Sequence, residues 1–305
     1  MTPDGGVIID PAALSERRGS PWDAVRLARD QRRPHSIELI GSVFDRFQEL
    51  HGDRGYRDDP AVVSGIGELQ GRAVVIVAQQ KGASTDENIE RNFGMSYPEG
   101  YRKAIRMYRL AERFRLPLIT LIDTPGAYPG PEAEERGQGE AIAKSIQVMS
   151  VLRTPIIAVI IGEGGSGGAL ALGVGDVVLM LENAVYSVIT PEGCAAILFR
   201  SAAEAERAAM AMRPSAPDLL ALGIVDGLVP EPAGGAHTDH IVMSASLKRA
   251  LVAQVERLDR VPLADLLAAR YDRFRAMGVW VDPGAGALAE RSRPWWRRML
   301  DRARL

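Results

Sequence analysis

Three short runs constrain this chain more than any other feature. AVVIVAQ (73–79), PLITLID (117–123) and PIIAVII (155–161) are β-branched and apolar at nearly every position. A strand with one wet face alternates apolar and polar residues. A continuous run belongs to a strand covered on both faces, as in a parallel sheet. VVLML (177–181), VYSVI (185–189) and IVDGLV (224–229) continue the set.

Helical spacing lies between these runs. SIELIGSVFDRFQEL has apolar residues at 37, 40, 43, 44, 47 and 50, which predicts a helix from Ser36. PEGYRKAIRMYRLAERF has them at 101, 104, 105, 108 and 111, with Pro98 suited to a first turn. EERGQGEAIAKSIQVMSVLR repeats the spacing at 142, 146, 149 and 152, and 241–278 reads as one or two C-terminal helices. Strands alternating with helices predict an α/β layered domain with crossover connections. The expected division is an irregular Pro-, Gly- and Arg-rich arm over 1–35, one domain over 36–278, and a basic tail over 279–305. In that tail Trp280, Trp295 and Trp296 sit near arginines, as a docking helix or as a plain basic tail.

Composition narrows the classes. At 305 residues, 46% hydrophobic and 25% charged, the chain can bury a sizeable core. A net charge of −2 gives no strong field for nucleic acid or acidic lipid. The longest apolar runs are about seven residues, far short of the roughly 20 of a membrane span. The N-terminus has no signal pattern, and the single cysteine, Cys194, excludes an internal disulfide framework and a Cys-rich zinc site. A cytoplasmic location is expected.

The stretch IGEGGSGGALALGV (161–174) fits three motifs. Gly162, Gly164 and Gly167 spell the dinucleotide fingerprint, with Glu182 near the place of a ribose-binding acid. Gly164, Ser166 and Gly168 spell a nucleophile elbow, with Asp176 or Asp226 as orienting acid and His237 or His240 as base. The third reading is a backbone cradle for an oxyanion. A plain strand-to-helix turn is the bland reading. IDTPGAYPG (122–130) is a second glycine-containing turn after a buried run. Two such loops aim backbone N–H groups outward and favour the cradle.

These residues resemble a known family, the alpha subunits of bacterial acetyl-CoA carboxylase carboxyltransferase. The matching words are HGDRGYRDDPAVVSGIGELQGR, QQKG, ERNFGMSYPEGYRKA, ERFRLPLITLIDTPGAYPG, AEERGQGEAIA, IIGEGGSGGALA, YSVITPEGCA and EPAGGAH, in order over about residues 30–275. The resemblance implies a crotonase-type α/β fold: a spiral of ββα units with a nearly perpendicular small sheet and C-terminal helices. It implies carboxyl transfer from carboxybiotin, on a biotin carboxyl carrier protein, to acetyl-CoA, giving malonyl-CoA for fatty acid synthesis. The implied partners are a beta subunit carrying a zinc ribbon, in an α2β2-type assembly, the carrier protein and biotin carboxylase. The chain is expected to work only with its beta subunit and to hold no metal itself. A relative using another acyl-CoA, or decarboxylating one, is the nearest alternative, and an inactive scaffold is the non-enzyme alternative.

Under this resemblance the biotin-side cradle falls at the backbone of Gly167, Gly168 and Ala169, with Gly126 and Ala127 as a second wall. Gly164, Gly165 and Ser166 would lie against the biotin. Lys81 could hold a carboxylate or phosphate, and Arg91 and Asn92 could line the same entrance. Arg102, Lys103, Arg106 and Arg109 make a basic helix face, read as solvated. Cys194 reads as a buried small hydrophobe, and His237 as a loop histidine.

Overall fold

The computed structural model describes residues 6–7 and 19–278. Eight strands form its sheet: β1 (Arg46–Glu49), β2 (Val62–Leu69), β3 (Arg72–Gln79), β4 (Leu118–Thr124), β5 (Ile156–Gly165), β6 (Val177–Leu181), β7 (Val185–Ser187) and β8 (Gly227–Val229). The hydrogen-bonded order is β1-β2-β3-β4-β5-β6-β8. β1, β2 and β3 are antiparallel neighbours, while β3 to β6 and β8 run parallel. The runs that are apolar at nearly every position form the middle of this sheet, and every residue of β4 is buried. In place of the separate small sheet implied by the resemblance, β7 branches from the main path of the same sheet, pairing with Glu163–Gly165 at the end of β5 and bridging to Ser215.

Helices cross between the parallel strands. α1 (Pro21–Ala28), α2 (Ser36–Val43) and α3 (Thr85–Glu90) come first, and α4 (Pro98–Phe114) joins β3 to β4. α5 (Pro131–Glu135) and α6 (Gln138–Val151) join β4 to β5, and α7 (Ser166–Leu170) opens the link to β6. α8 (Pro191–Phe199), α9 (Ala205–Met212) and α10 (Ala216–Ala221) precede β8. α11 (His240–Leu258) and α12 (Leu263–Arg275) are the two C-terminal helices. The sheet and α1 to α11 lie in one compact unit, Met1–Asp272. The tryptophans at 280, 295 and 296 lie outside the described residues.

Three local expectations are corrected. The helix from Ser36 ends at Val43, and Arg46–Glu49 pairs as a strand with Gly65–Glu68. Helical periodicity continued through 47 and 50, but pairing to an open sheet edge outweighs a weak local preference. β2 itself was not legible because Gly65 and Gly67 break its apolar pattern. A side chain at Gly65 would meet the Gln48 carbonyl at 2.1 Å, so the missing side chains are what admit β1. Residues 21–28 are not irregular: Ser20 and Asp23 form a reciprocal capping box, and Pro21 opens α1. In α6 Met149 and the following Leu152 are buried as predicted, but Ala141 and Ser145 turn inward in place of Ile142 and Ile146, one position from the predicted stripe. Small residues let it approach closely, and Ser145 Oγ donates to the Ala171 carbonyl at 2.5 Å.

Candidate functional site

The ends of β4 and β5 carry the two glycine loops. They touch backbone to backbone. A Cβ on Gly165 would lie 2.1 Å from the Pro125 carbonyl oxygen, and one on Gly168 would lie 2.7 Å from the Ala127 nitrogen. No side chain fits at either position, so the sequence requirement for glycine is steric here. Gln79, buried at the end of β3, donates from Nε2 to the Gly168 carbonyl at 2.8 Å and fixes that peptide's orientation.

α7 starts at Ser166 with Gly165 as its N-cap. The first turn of a helix leaves its N–H groups without intrahelical acceptors, which here means Ser166, Gly167 and Gly168. Ala169 is the fourth helical residue and is buried, as Gly168 is. Gly164 is buried between its ladder partners Thr124 and Tyr186. Ser166 holds the loop in a left-handed conformation, φ 51°. In the second loop the Gly126 N–H is taken by Thr124 Oγ1 at 3.2 Å. The Ala127 N–H has no acceptor among the described residues, and it lies beside Gly168.

Beneath the loops runs a chain of charges. Lys81 Nζ lies 2.8 Å from Asp123 Oδ1 and 2.7 Å from Glu163 Oε2. Arg29 donates to Glu163 Oε1 at 2.6 Å and to Glu192 Oε1 at 2.7 Å. His35 Nδ1 is 3.1 Å from Asp123 Oδ2. Burial alone would raise the Asp123 and Glu163 carboxyls. Lys81, with His35 on the first and Arg29 on the second, outweighs it and holds both below the usual carboxylate range. Burial works against the Lys81 charge, yet Asp123 and Glu163 raise it above the ordinary lysine value. Lys81 is therefore occupied by the protein's own carboxylates and is not a free ligand for substrate.

A cavity of about 240 Å³ opens beside this chain, lined by His35, Lys81, Asn88, Phe93, Pro125 and Glu163 among others. The ERNFGM segment thus contributes Phe93. Arg91 instead donates to the Pro60 carbonyl at 2.9 Å, and Asn92 adopts φ 47° in the turn before it. Arg29, Asp123, Glu163 and His35 were not singled out from sequence. Arg29 and His35 fell in the supposed arm, and the two acids sat inside glycine motifs read for their backbone alone.

Neither rival motif is assembled. Asp176 is buried in an ion pair with Arg270, and Asp226 accepts from the Val178 N–H. His237 faces Asp30 at 3.7 Å, and His240 meets the Arg32 carbonyl. No histidine hydrogen-bonds Ser166 among the described residues, as a hydrolase would need. Glu182 accepts from the Glu231 N–H, and only a five-residue helix follows the glycines, unlike a dinucleotide fold. Cys194 is buried. Lys103 is not part of a solvated face: it is 1% exposed and bonds Asp58 and the Asp59 carbonyl. Among the described residues no cluster of His, Cys, Asp and Glu is placed to hold a metal ion, and no helix is long and apolar enough to cross a membrane.

The chain is similar to known proteins in sequence and in fold. Residues 17–278 match the family model described as acetyl co-enzyme A carboxylase carboxyltransferase-like. The chain is 55% identical over 264 residues to the acetyl-coenzyme A carboxylase carboxyl transferase subunit alpha of Methylococcus capsulatus, covering 87% of this chain and 82% of that one. It is 54% identical to the Thermus thermophilus subunit of the same name, covering 87% and 84%. Among solved structures it is similar in fold to transcarboxylase 12S (TM-score 0.62, 23% identity, 76% of this chain and 43% of that one). It is also similar in fold to the beta subunit of P. aeruginosa geranyl-CoA carboxylase (TM-score 0.58, 18% identity, 87% of this chain and 47% of that one). The fold is the crotonase-type fold of carboxyltransferases. By its family match and its identity to these relatives, the chain belongs to the acetyl-CoA carboxylase carboxyltransferase alpha-subunit family.

Proposed function

We propose that this carboxyltransferase alpha subunit uses the contact between its two glycine loops as the biotin-side half of the transfer site. The observation that carries the reading is the Ala127 N–H, without an acceptor and set beside the first turn of α7. Carboxybiotin, held on a carrier protein, supplies the carboxyl group that passes to acetyl-CoA. The N–H groups of Ala127, Ser166, Gly167 and Gly168 are donors of the kind that stabilise a carbonyl oxygen gaining negative charge. Gln79 holds the Gly168 carbonyl, and with it the Gly168–Ala169 peptide that follows these donors, in a fixed position. Neutral backbone donors would suit a ureido oxygen that is uncharged at first and would gain negative charge only as the carboxyl group leaves. No side chain of this chain is assigned as general base, because biotin, when bound, would supply that basicity itself.

The acyl-CoA half of the site then belongs to a beta subunit, with its zinc ribbon, in an α2β2-type assembly in the cytoplasm. The carrier protein and biotin carboxylase complete the system. The test is reverse transfer with malonyl-CoA and biocytin, using the purified chain with and without a beta subunit. Acetyl-CoA release that needs both subunits and biocytin supports this reading. Release without biocytin, or from the chain alone, contradicts it.

A further inference from the structure

The register between β4 and β5 breaks between Ile122 and Thr124. Ile122 pairs with Ile160, but Thr124 pairs with Gly164, so Asp123 stands opposite a stretch with two extra residues. Such irregularities re-aim the chain beyond them. Here both glycine loops begin just beyond it. The backbone ladder is interrupted, and the Asp123 side chain takes its place: Oδ1 accepts the Glu163 N–H at 3.0 Å. The carboxylate reaches that position because Gly162 has no side chain, whose Cβ would sit 2.5 Å from Oδ1.

Glu163 then turns its own carboxylate to Lys81 and Arg29, and Arg29 reaches Glu192 in the first turn of α8. The side chains of Asp123, Lys81 and Glu163 are 2%, 12% and 12% exposed, so solvent screens their charges weakly. Asp123, Glu163 and Glu192 face Lys81 and Arg29, with His35 closing the chain on Asp123 Oδ2.

From this geometry we infer that Asp123 and Glu163, with Lys81 between them, are positioning residues for the transfer step. They clasp the two loops in one fixed relation across the register break, and their charge balance keeps uncompensated carboxylates away from a cradle that must receive an anion. The inference rests on the cradle reading above. Loss of Lys81 leaves Asp123 with His35 alone and leaves Glu163 sharing Arg29 with Glu192, so two close carboxylates are under-compensated; loss of the Glu163 charge relieves half of that problem. The two residues must therefore couple in the chemical step, and not merely in stability.

The test uses the alpha–beta complex carrying Glu163→Gln, Lys81→Met or both, assayed by biocytin-dependent reverse transfer. Beta-subunit binding and thermal unfolding are followed alongside. Glu163→Gln should lower kcat by about tenfold with KM for malonyl-CoA unchanged. Lys81→Met should lower it more, and the double variant should recover several-fold relative to Lys81→Met. If Lys81→Met does not fold, Glu163→Gln decides alone. Wild-type kcat in a folded, beta-bound Glu163→Gln complex overturns the inference. So does a double variant whose losses simply multiply. A wild-type complex with no biocytin-dependent activity would instead overturn the cradle reading on which the inference stands.

Discussion

Asp123 Oδ1 accepts the backbone N–H of Glu163 at 3.0 Å where the pairing of β4 with β5 loses register. One side chain thereby replaces part of a backbone ladder and joins the two loops whose N–H groups form the proposed cradle. The same carboxylate holds Lys81 and His35, so strand ends from three parts of the sheet and the segment after α1 converge on it.

This convergence sets a pH dependence. Asp123 and Glu163 are held below their ordinary values in the folded chain by Lys81 and their other partners. The unfolded chain therefore binds protons first, and stability falls as pH drops. Their contribution is full above about pH 5 and is lost progressively as pH falls below about 4. Urea unfolding of the wild type and Asp123→Asn should show a stability difference that is flat from about pH 5 to 8 and shrinks below about pH 4. A difference that grew on acidification would contradict the assigned direction.

Ser166 is held at φ 51°, a region that costs a non-glycine residue about 1–2 kcal/mol. Ser166→Gly should relieve that strain, with the extra freedom of glycine in the unfolded chain cancelling most of the gain. The expected net change is below about 1 kcal/mol. The proposed part played by Ser166 is its N–H, which alanine keeps. Ser166→Ala should therefore retain reverse-transfer kcat within about threefold, whereas a nucleophilic serine would lose nearly all activity.

Arg270 is 1% exposed and donates to the carbonyls of Met149, Leu152 and Thr154 as well as to Asp176. Removing one partner of a buried ion pair leaves the other charge unpaired, at a cost of about 3–5 kcal/mol. Arg270→Met should destabilise the chain by that order in urea unfolding, while Asp176 and Arg270 lie away from the loops. Activity per folded complex should stay near the wild-type value.

The central sheet was legible because strands covered on both faces must be apolar throughout, as in PIIAVII and PLITLID. The antiparallel edge was not. Gly65 and Gly67 erase the alternation of β2, and β1 is a short strand inside an apparent helical repeat. The glycine loops could be found from sequence, since close backbone approach leaves glycine little choice. The ion chain beneath them could not, because Arg29, His35, Lys81, Asp123 and Glu163 meet only through tertiary contacts. Arg91 shows the reverse: a charged residue in a matching motif, whose side chain is turned to the Pro60 carbonyl.

Gly168 tests the central claim most directly. Its Cβ would enter the space 2.6–2.8 Å from the Gly126 and Ala127 backbone, so Gly168→Ala must part the two loops. Gly139, with nothing within 4 Å of its Cβ position, serves as the control. The measurement is biocytin-dependent acetyl-CoA release from malonyl-CoA by each alpha–beta complex. The loop-contact cradle predicts a loss of about 100-fold for Gly168→Ala and wild-type rates for Gly139→Ala. A folded, beta-bound Gly168→Ala complex working at the wild-type rate would contradict it.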